Sequence, residues 1–289
     1  MDEARKENSK NIGVLYADES GKGLTHPFFA LILNAFRSET EAHGYDITFL
    51  SDSGSGAWGS YADHCRSRNL AGVFLVCVDF ENPQIRELAT DGLPCVTVDH
   101  IFKRVPAVLS DNESGVQKLV EYAIRMGHRR IAFVHGQNNS IVARTRISQF
   151  GNTMAYHNLP VPPGFVRESR YHDIPLTKSI VGEFLRMPEQ ERPTCILLPD
   201  DMTYLGAQEA AREMGLSIPE DISFGGYDGI PMMQALTPRL TTIRQSCSDI
   251  GTEAAKRLID RIENPATASR LPCVFPVELV EGGTIGPCR

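Results

Sequence analysis

Apolar positions along this chain change period repeatedly. Short runs rich in β-branched and aromatic residues alternate with segments in which apolar residues recur every three or four positions. NIGVLYA (11–17) predicts a strand. After a glycine loop, HPFFALILNAFRSETEAHG (26–44) predicts a helix, with Phe29, Ile32, Leu33 and Phe36 on one face and Gly44 placed to cap its end. Strands follow at 45–50, 72–78 and 94–99, separated by helices at 57–69 and 82–91. The rhythm then restarts with a helix over 113–127 ending in Gly127, a strand over 130–136 and a helix over 140–157. Beyond the proline-rich loop LPVPPG come strands at 165–170, 194–198 and 221–227, with helices at 175–187 and 201–215 between them. Strand–helix alternation of this kind predicts an α/β fold of parallel sheets with helices on both faces.

Two such runs predict two similar lobes with a ligand cleft between them. The expected N-terminal lobe is 1–107 completed by 241–271, and the C-terminal lobe is 108–240 completed by 272–289. A helix over 246–262 adds to the first lobe, and a strand within 273–280 closes the second. Ligands of parallel α/β sheets bind outside the carboxyl ends of the strands. Acids stand at such ends here, at Asp99, at Asp200 and Asp201, and at Asp228.

Composition narrows the function. A length of 289 residues, with 42% hydrophobic and 22% charged, is ordinary for a soluble globular chain of one large or two average domains. The net charge of −7 matches phosphate backbones poorly, so these residues alone are not expected to hold nucleic acid. The seven cysteines form no CxxC pair and are odd in number, which fits reduced, buried thiols. The opening MDEARKENSKN lacks the apolar core of a signal peptide, and no run is long enough to span a membrane. A cytoplasmic location is expected.

Several motifs compete for chemistry. GSGAWG (54–59) is a literal GxGxxG with Asp79 beyond it, much of a dinucleotide fingerprint. Ser51, Asp52 and Ser53 separate it from the strand, so a plain loop is favoured. SGKG (20–23) lacks the spacing of a P-loop, and the eight histidines offer no metal-binding pair. No cofactor or metal is expected. Nor does any serine or cysteine have a local base partner. Asp200 and Asp201 read as hydrogen-bond acceptors, as helix caps, or as both, rather than as a catalytic pair. Arg144 and Arg146 open a helix, and a guanidinium suits sugar hydroxyls or anions. Of Phe28 and Phe29, about 100° apart on a helix, one is expected in the core and one against a ligand ring.

GHRRIAFVHG (127–136), SDNESG (110–115), LPDDMTYLGAQEAAREMGLSIPEDISFGGYDGIP (198–231) and LTPRLTTIRQ (236–245) together resemble the LacI/GalR family of transcriptional regulators. They are also similar to its relatives, the periplasmic sugar-binding proteins. The resemblance runs from about residue 11 to the C-terminus. It implies a type I periplasmic-binding-protein-like fold, a small-molecule effector between the lobes, no catalysis, and a homodimer. It also implies that Phe28, Phe29, Asp99, Arg146, Asp200, Asp201 and Asp228 contact the effector. The family's DNA-binding head is a helix-turn-helix, which the ten residues before Asn11 are too few to form. DNA is therefore expected only as a partner of the parent protein, through a head that these residues lack.

The sequence departs from the family in places. Asp200 stands where Asn is usual, Ala71 replaces a common Asp, Val76 is apolar where sugar binders often carry Asn, and Gly229 replaces a frequent second Asp. An acceptor-rich site suits a sugar, a polyol or a cationic group better than a phosphate or carboxylate. A transporter's binding component is the alternative on the same fold, and an enzyme using the GxGxxG loop is a further one.

Overall fold

A computed structural model of the chain describes residues 9–17, 23–50 and 59–288. The glycine loop from Gly54 to Trp58 and the Ser20–Lys22 stretch lie outside them. The chain begins with β1 (Asn11–Tyr16), α1 (Pro27–Ala42), β2 (Asp46–Leu50), α2 (Tyr61–Ser67), β3 (Gly72–Val76), α3 (Pro83–Thr90), β4 (Cys95–Val98) and β5 (Ala107–Ser110). It continues with α4 (Asn112–Arg125), β6 (Ile131–His135), α5 (Ile141–Tyr156), β7 (Val166–Glu168), α6 (Ile174–Leu185), β8 (Cys195–Leu197), α7 (Tyr204–Glu213), β9 (Ser223–Asp228) and β10 (Thr241–Arg244). Last come α8 (Cys247–Glu263), β11 (Cys273–Phe275) and β12 (Glu278–Val280).

These elements form two units, one of residues up to Ser110 with 246–275, the other of 111–245 with 276–289. The first has a sheet ordered β11-β5-β4-β3-β1-β2, parallel throughout. The second has β12-β10-β9-β8-β6-β7, parallel except where β12 runs against β10. All three crossings differ from the expected lobe boundaries. TTIR pairs in register with β9, so the chain returns to the first unit at Ser246 rather than near 241. The apolar stretch near 273–280 is two strands, not one: Cys273–Phe275 extends the first sheet and Glu278–Val280 the second. Proline at 276 breaks the run between them. AVLS (107–110), too short to show a period, is also a strand, and it moves the first crossing to Ser110.

The central strands read as unbroken apolar runs because both faces are covered. In the first unit Ile12, Phe36, Phe74 and Ile250 pack on one face of the sheet, while Leu15, Leu75 and Leu88 pack in a second cluster. Helix α8 lies against α1 closely enough that a Cβ on Gly251 would fall 2.2 Å from the Ile32 carbonyl oxygen. Helices α2 to α6 start on side-chain caps: Ser60, Asn82, Asp111, Ser140 and Asp173 each accept from a backbone N–H of the first turn.

The GHRRI stretch is a fastening for the carboxyl-terminal tail. Gly127 takes the left-handed backbone (φ 93°) that ends α4. His128 is buried, with Nδ1 3.0 Å from the Thr194 hydroxyl and Nε2 3.1 Å from the Gly286 carbonyl. Cys288 donates its N–H to the Met126 carbonyl at 2.7 Å. Arg130 donates to the carbonyls of Arg192 and Glu189. Burial pushes the His128 imidazole down to about 4.

The unfolded chain takes up that proton first, so the neutral imidazole stabilises the fold fully above pH 6.5, and this contribution is lost as pH falls towards 4. The loss totals roughly 3 kcal/mol. Urea unfolding at pH 7 and pH 4.5 is expected to show this decline in the wild type and a much flatter response in His128→Gln. A second expectation concerns Tyr204, fully buried against Phe224 with a hydroxyl that has no hydrogen-bond partner among the described residues. Tyr204→Phe removes an unsatisfied polar atom, and its unfolding midpoint is expected to be unchanged or higher, by up to about 1 kcal/mol.

Candidate functional site

The site of the second unit is built outward from SFGGYDG, the strand β9 and its exit. Gly225 packs where a Cβ would press on Leu197, Leu119 and Ile285. Gly226 leaves room for a carboxylate, because a Cβ there would lie 2.4 Å from Asp201 Oδ1. Asp228 ends the strand at φ 117° and Gly229 follows at φ 73°, so the chain turns sharply there. Cys77 and Asp99, directly after β3 and β4 of the first unit, are also left-handed, at φ 53° and 61°. Strained backbone of this kind at strand ends is a mark of functional positions.

Asp200 and Asp201 follow β8 and are both buried. Asp200 accepts from Thr203 N–H at 2.9 Å and His172 N–H at 2.8 Å. It thus caps the turn that enters α7 and holds the loop beyond β7. Asp201 accepts from Ile230 N–H at 2.7 Å and from the Thr242 hydroxyl at 2.5 Å, with Gly229 N–H adding a third bond. It therefore ties the exits of β8 and β9 to β10. Burial pushes the Asp201 carboxyl up to about 8, against the opposing pull of these donors.

Asp228 is buried and accepts from Gln245 Nε2 at 2.8 Å. Desolvation, followed by the charges of Asp201 and Asp200, raises its carboxyl well above the usual range, while Arg146 and Gln245 pull the other way. Arg146 projects from the first turns of α5 and is also buried. Its Nε donates to Asn112 Oδ1 at 2.7 Å and one terminal nitrogen donates to the Pro199 carbonyl at 3.2 Å. The guanidinium lies 3.5 Å from the centroid of the Tyr227 ring. Tyr227 in turn donates to Asn112 at 3.3 Å, over Gly115, where a Cβ would meet the hydroxyl at 2.2 Å.

The expected site residues thus fall into two groups. Asp200, Asp201, Asp228 and Arg146 come together at the strand ends of the second unit. Phe28, Phe29 and Asp99 belong to the first unit. There Phe28 is core, whereas Phe29 is half-buried among Tyr16, His26 and Phe28. Asp99 is half-buried, with its N–H donated to the Val108 carbonyl. Arg144 bonds the Asn138 carbonyl and is exposed. Sequence reasoning missed Asn112, Tyr227, Thr242 and Gln245. All four lie inside the distinctive stretches SDNESG, GGYDGIP and TTIRQ, but polar residues between apolar ones carry no period to mark them. Among the described residues no group of His, Cys, Asp and Glu is placed to hold a metal ion, and no helix is long and apolar enough to cross a membrane.

Comparison with known proteins places this arrangement. Residues 120–285 match the periplasmic binding protein-like domain. The ribose operon repressor of Haemophilus influenzae is 26% identical over 260 residues, covering 89% of this chain and 76% of that protein. The HTH-type transcriptional repressor PurR of Histophilus somni (strain 129Pt) is 29% identical over 263 residues, covering 88% and 76%. Among solved structures, a regulatory protein of the LacI family from Chloroflexus aggregans has a TM-score of 0.84 at 26% identity, covering 96% of this chain and 99% of that one. A LacI family regulator from Enterococcus faecium with bound ribose has a TM-score of 0.82 at 24% identity, covering 97% and 100%.

The raised carboxyl of Asp201 has a measurable sign. The folded chain keeps a proton that the unfolded chain releases near 3.8, so the stability linked to it is present at low pH and lost as pH rises through about 8. Unfolding free energy is expected to fall between pH 6.5 and 8.5. In Asp201→Asn the slope is expected to drop by about one proton equivalent.

Proposed function

Because the chain belongs to the periplasmic-binding-protein-like family, as the effector-sensing core of a LacI/GalR-type transcriptional regulator, we propose that its effector is a small neutral polar molecule, a sugar or polyol. The observation that carries the reading is Asp228. It is a non-glycine residue held at φ 117° at the carboxyl end of a strand, with its carboxyl drawn out of water beside Arg146. Such a group orients a ligand hydroxyl, and the Arg146 guanidinium supplies donors to a neighbouring oxygen. In the first unit Asp99 and the half-buried Phe29 add an acceptor and a ring for the apolar face of a sugar. Asp200 and Asp201 serve by holding the frame, and Phe28 by backing Phe29. The Arg146 guanidinium is engaged by Asn112, the Pro199 carbonyl and the Tyr227 ring, which leaves little of its fork for a phosphate or carboxylate ligand. The ribose carried by the Enterococcus faecium neighbour supports the sugar class.

Effector occupancy then biases the conformation of the core and so the DNA binding of the parent protein, to the extent that the effector's affinity differs between states. The working form we propose is a cytoplasmic homodimer. Leu31 on α1 and Phe49 on the edge strand β2, 40% and 50% exposed, give the first unit an apolar surface suited to a second copy.

Thermal unfolding against sugars, polyols, sugar phosphates, nucleosides and dinucleotides tests the reading. A ligand at 100 times its Kd stabilises by about 2.7 kcal/mol, on the order of 5–10 °C at this size. We expect a free sugar or polyol to give this shift and Asp228→Ala to abolish it. A sugar phosphate that outperforms its free sugar, or a dinucleotide hit, would sink the proposal.

A further inference from the structure

The chain passes between its two units three times, at Ser110–Asp111, Gln245–Ser246 and Phe275–Pro276. Each crossing is fastened on its second-unit side by a hydrogen bond within that unit. At the first, Asn112 accepts from Arg146 Nε at 2.7 Å and from the Tyr227 hydroxyl at 3.3 Å. At the second, Gln245 donates its side-chain amide to Asp228 Oδ1 at 2.8 Å and its backbone N–H to the Asp228 carbonyl at 3.2 Å. At the third, Lys118 Nζ donates to the Val277 carbonyl at 2.7 Å. Two of the three fastenings are therefore made to Arg146 and Asp228, the residues that hold the effector in the reading above.

We infer that Asn112 and Gln245 are positioning residues that carry effector occupancy from Arg146 and Asp228 to the first two crossings. The inference rests on the effector site proposed above and adds its route of regulation. The physical basis is that both ends are committed at once. Asp228 is buried, its backbone is strained, and one carboxyl oxygen is spent on Gln245. A ligand hydroxyl on this carboxyl changes its charge distribution and orientation, and the Gln245 amide follows. Arg146 is clamped between the Tyr227 ring, Asn112 and the Pro199 carbonyl, so a ligand drawing on its fork pulls on Asn112 directly. No chain of intervening residues is needed, because one bond separates each candidate ligand contact from a crossing. Lys118 stands apart from the candidate contacts, so the third crossing serves as an internal reference.

Amide hydrogen exchange on the whole chain, read by peptide, tests this without a ligand first. Asp228→Ala and Gln245→Glu are expected to speed exchange over 244–247 by about tenfold, the loss of one hydrogen bond. Asn112→Ala is expected to do the same over 110–113. Asp228→Asn keeps an oxygen for the Gln245 amide and should stay near wild type. Met154→Ala, a core truncation in the same unit, controls for general loosening and should leave both crossings no faster than the rest of the unit. Exchange at the crossings unchanged in Gln245→Glu and Asn112→Ala, or raised evenly through the second unit, overturns the inference. D-Ribose is the probe for the second arm. It should slow exchange at both crossings in the wild type. In Gln245→Glu the slowing should be lost over 244–247 and kept over 110–113, and in Asn112→Ala the reverse. Slowing that survives at the altered crossing, or that disappears from both crossings in each single variant, overturns the inference. A wild type indifferent to ribose counts against ribose as effector, while the ligand-free pattern still decides the coupling.

Discussion

The strand ends of the second unit depend on one constraint. Three carboxyl groups are taken out of water there, and the cost of that desolvation is met by directed hydrogen bonds, by the Arg146 charge facing Asp228, and by the proton that burial leaves on Asp201. Asp200 is held by two backbone amides, Asp201 by two amides and a hydroxyl, and Asp228 by a glutamine side chain. The loops beyond β7, β8 and β9 are thus shaped around the acids. Removing one carboxyl would free the amides that define a loop as well as deleting a charge.

Space for this arrangement comes from missing side chains. Gly226 lies opposite Thr242 in the sheet register, and the Asp201 carboxylate occupies the volume its Cβ would take. Gly115 does the same for the Tyr227 hydroxyl, and Gly229 turns back where a Cβ would strike Arg244. The side chains at this edge are therefore locked from behind, an arrangement suited to recognition by fixed geometry more than by adaptive fit. The first unit offers a different surface at its strand ends, mostly aromatic, with Asp99 as its acid.

Much of the fold was legible in the chain because its strands are buried on both faces and its helices on one. Those two periods differ enough to separate by eye. The boundaries were less so. AVLS and TTIR are short, flank polar stretches and carry no period of their own, so their membership in a sheet is decided by partners far away in sequence. The strand that divides at Pro276 between two sheets reads as one apolar stretch. At the site, acids after apolar runs marked themselves. Asn112, Gln245 and Tyr227 did not, since an amide or a tyrosine hydroxyl gains its role only when another side chain is brought to it. The capping of the α7 entry by Asp200 followed from local chemistry. The grip of Asp201 on β10 depends on residues forty positions on and could be found only in three dimensions.

The close seat of α8 on α1, with Gly251 set against the Ile32 carbonyl, also bears on how the protein is made. Synthesis delivers α1 early, and the part of its surface that α8 covers stays open until α8 leaves the ribosome, although Phe36 can already stack on Phe74. The whole of the second unit up to Gln245 is translated in between. The second unit in turn completes its sheet only with β12, and its tail reaches His128 only at Gly286. Both units therefore finish late, the first at β11 and the second at β12, and the nascent chain carries a partly covered apolar helix through most of its elongation. A chain threaded this way exposes apolar surface for longer than one whose units follow each other in sequence, and slow decoding late in the message would lengthen that exposure.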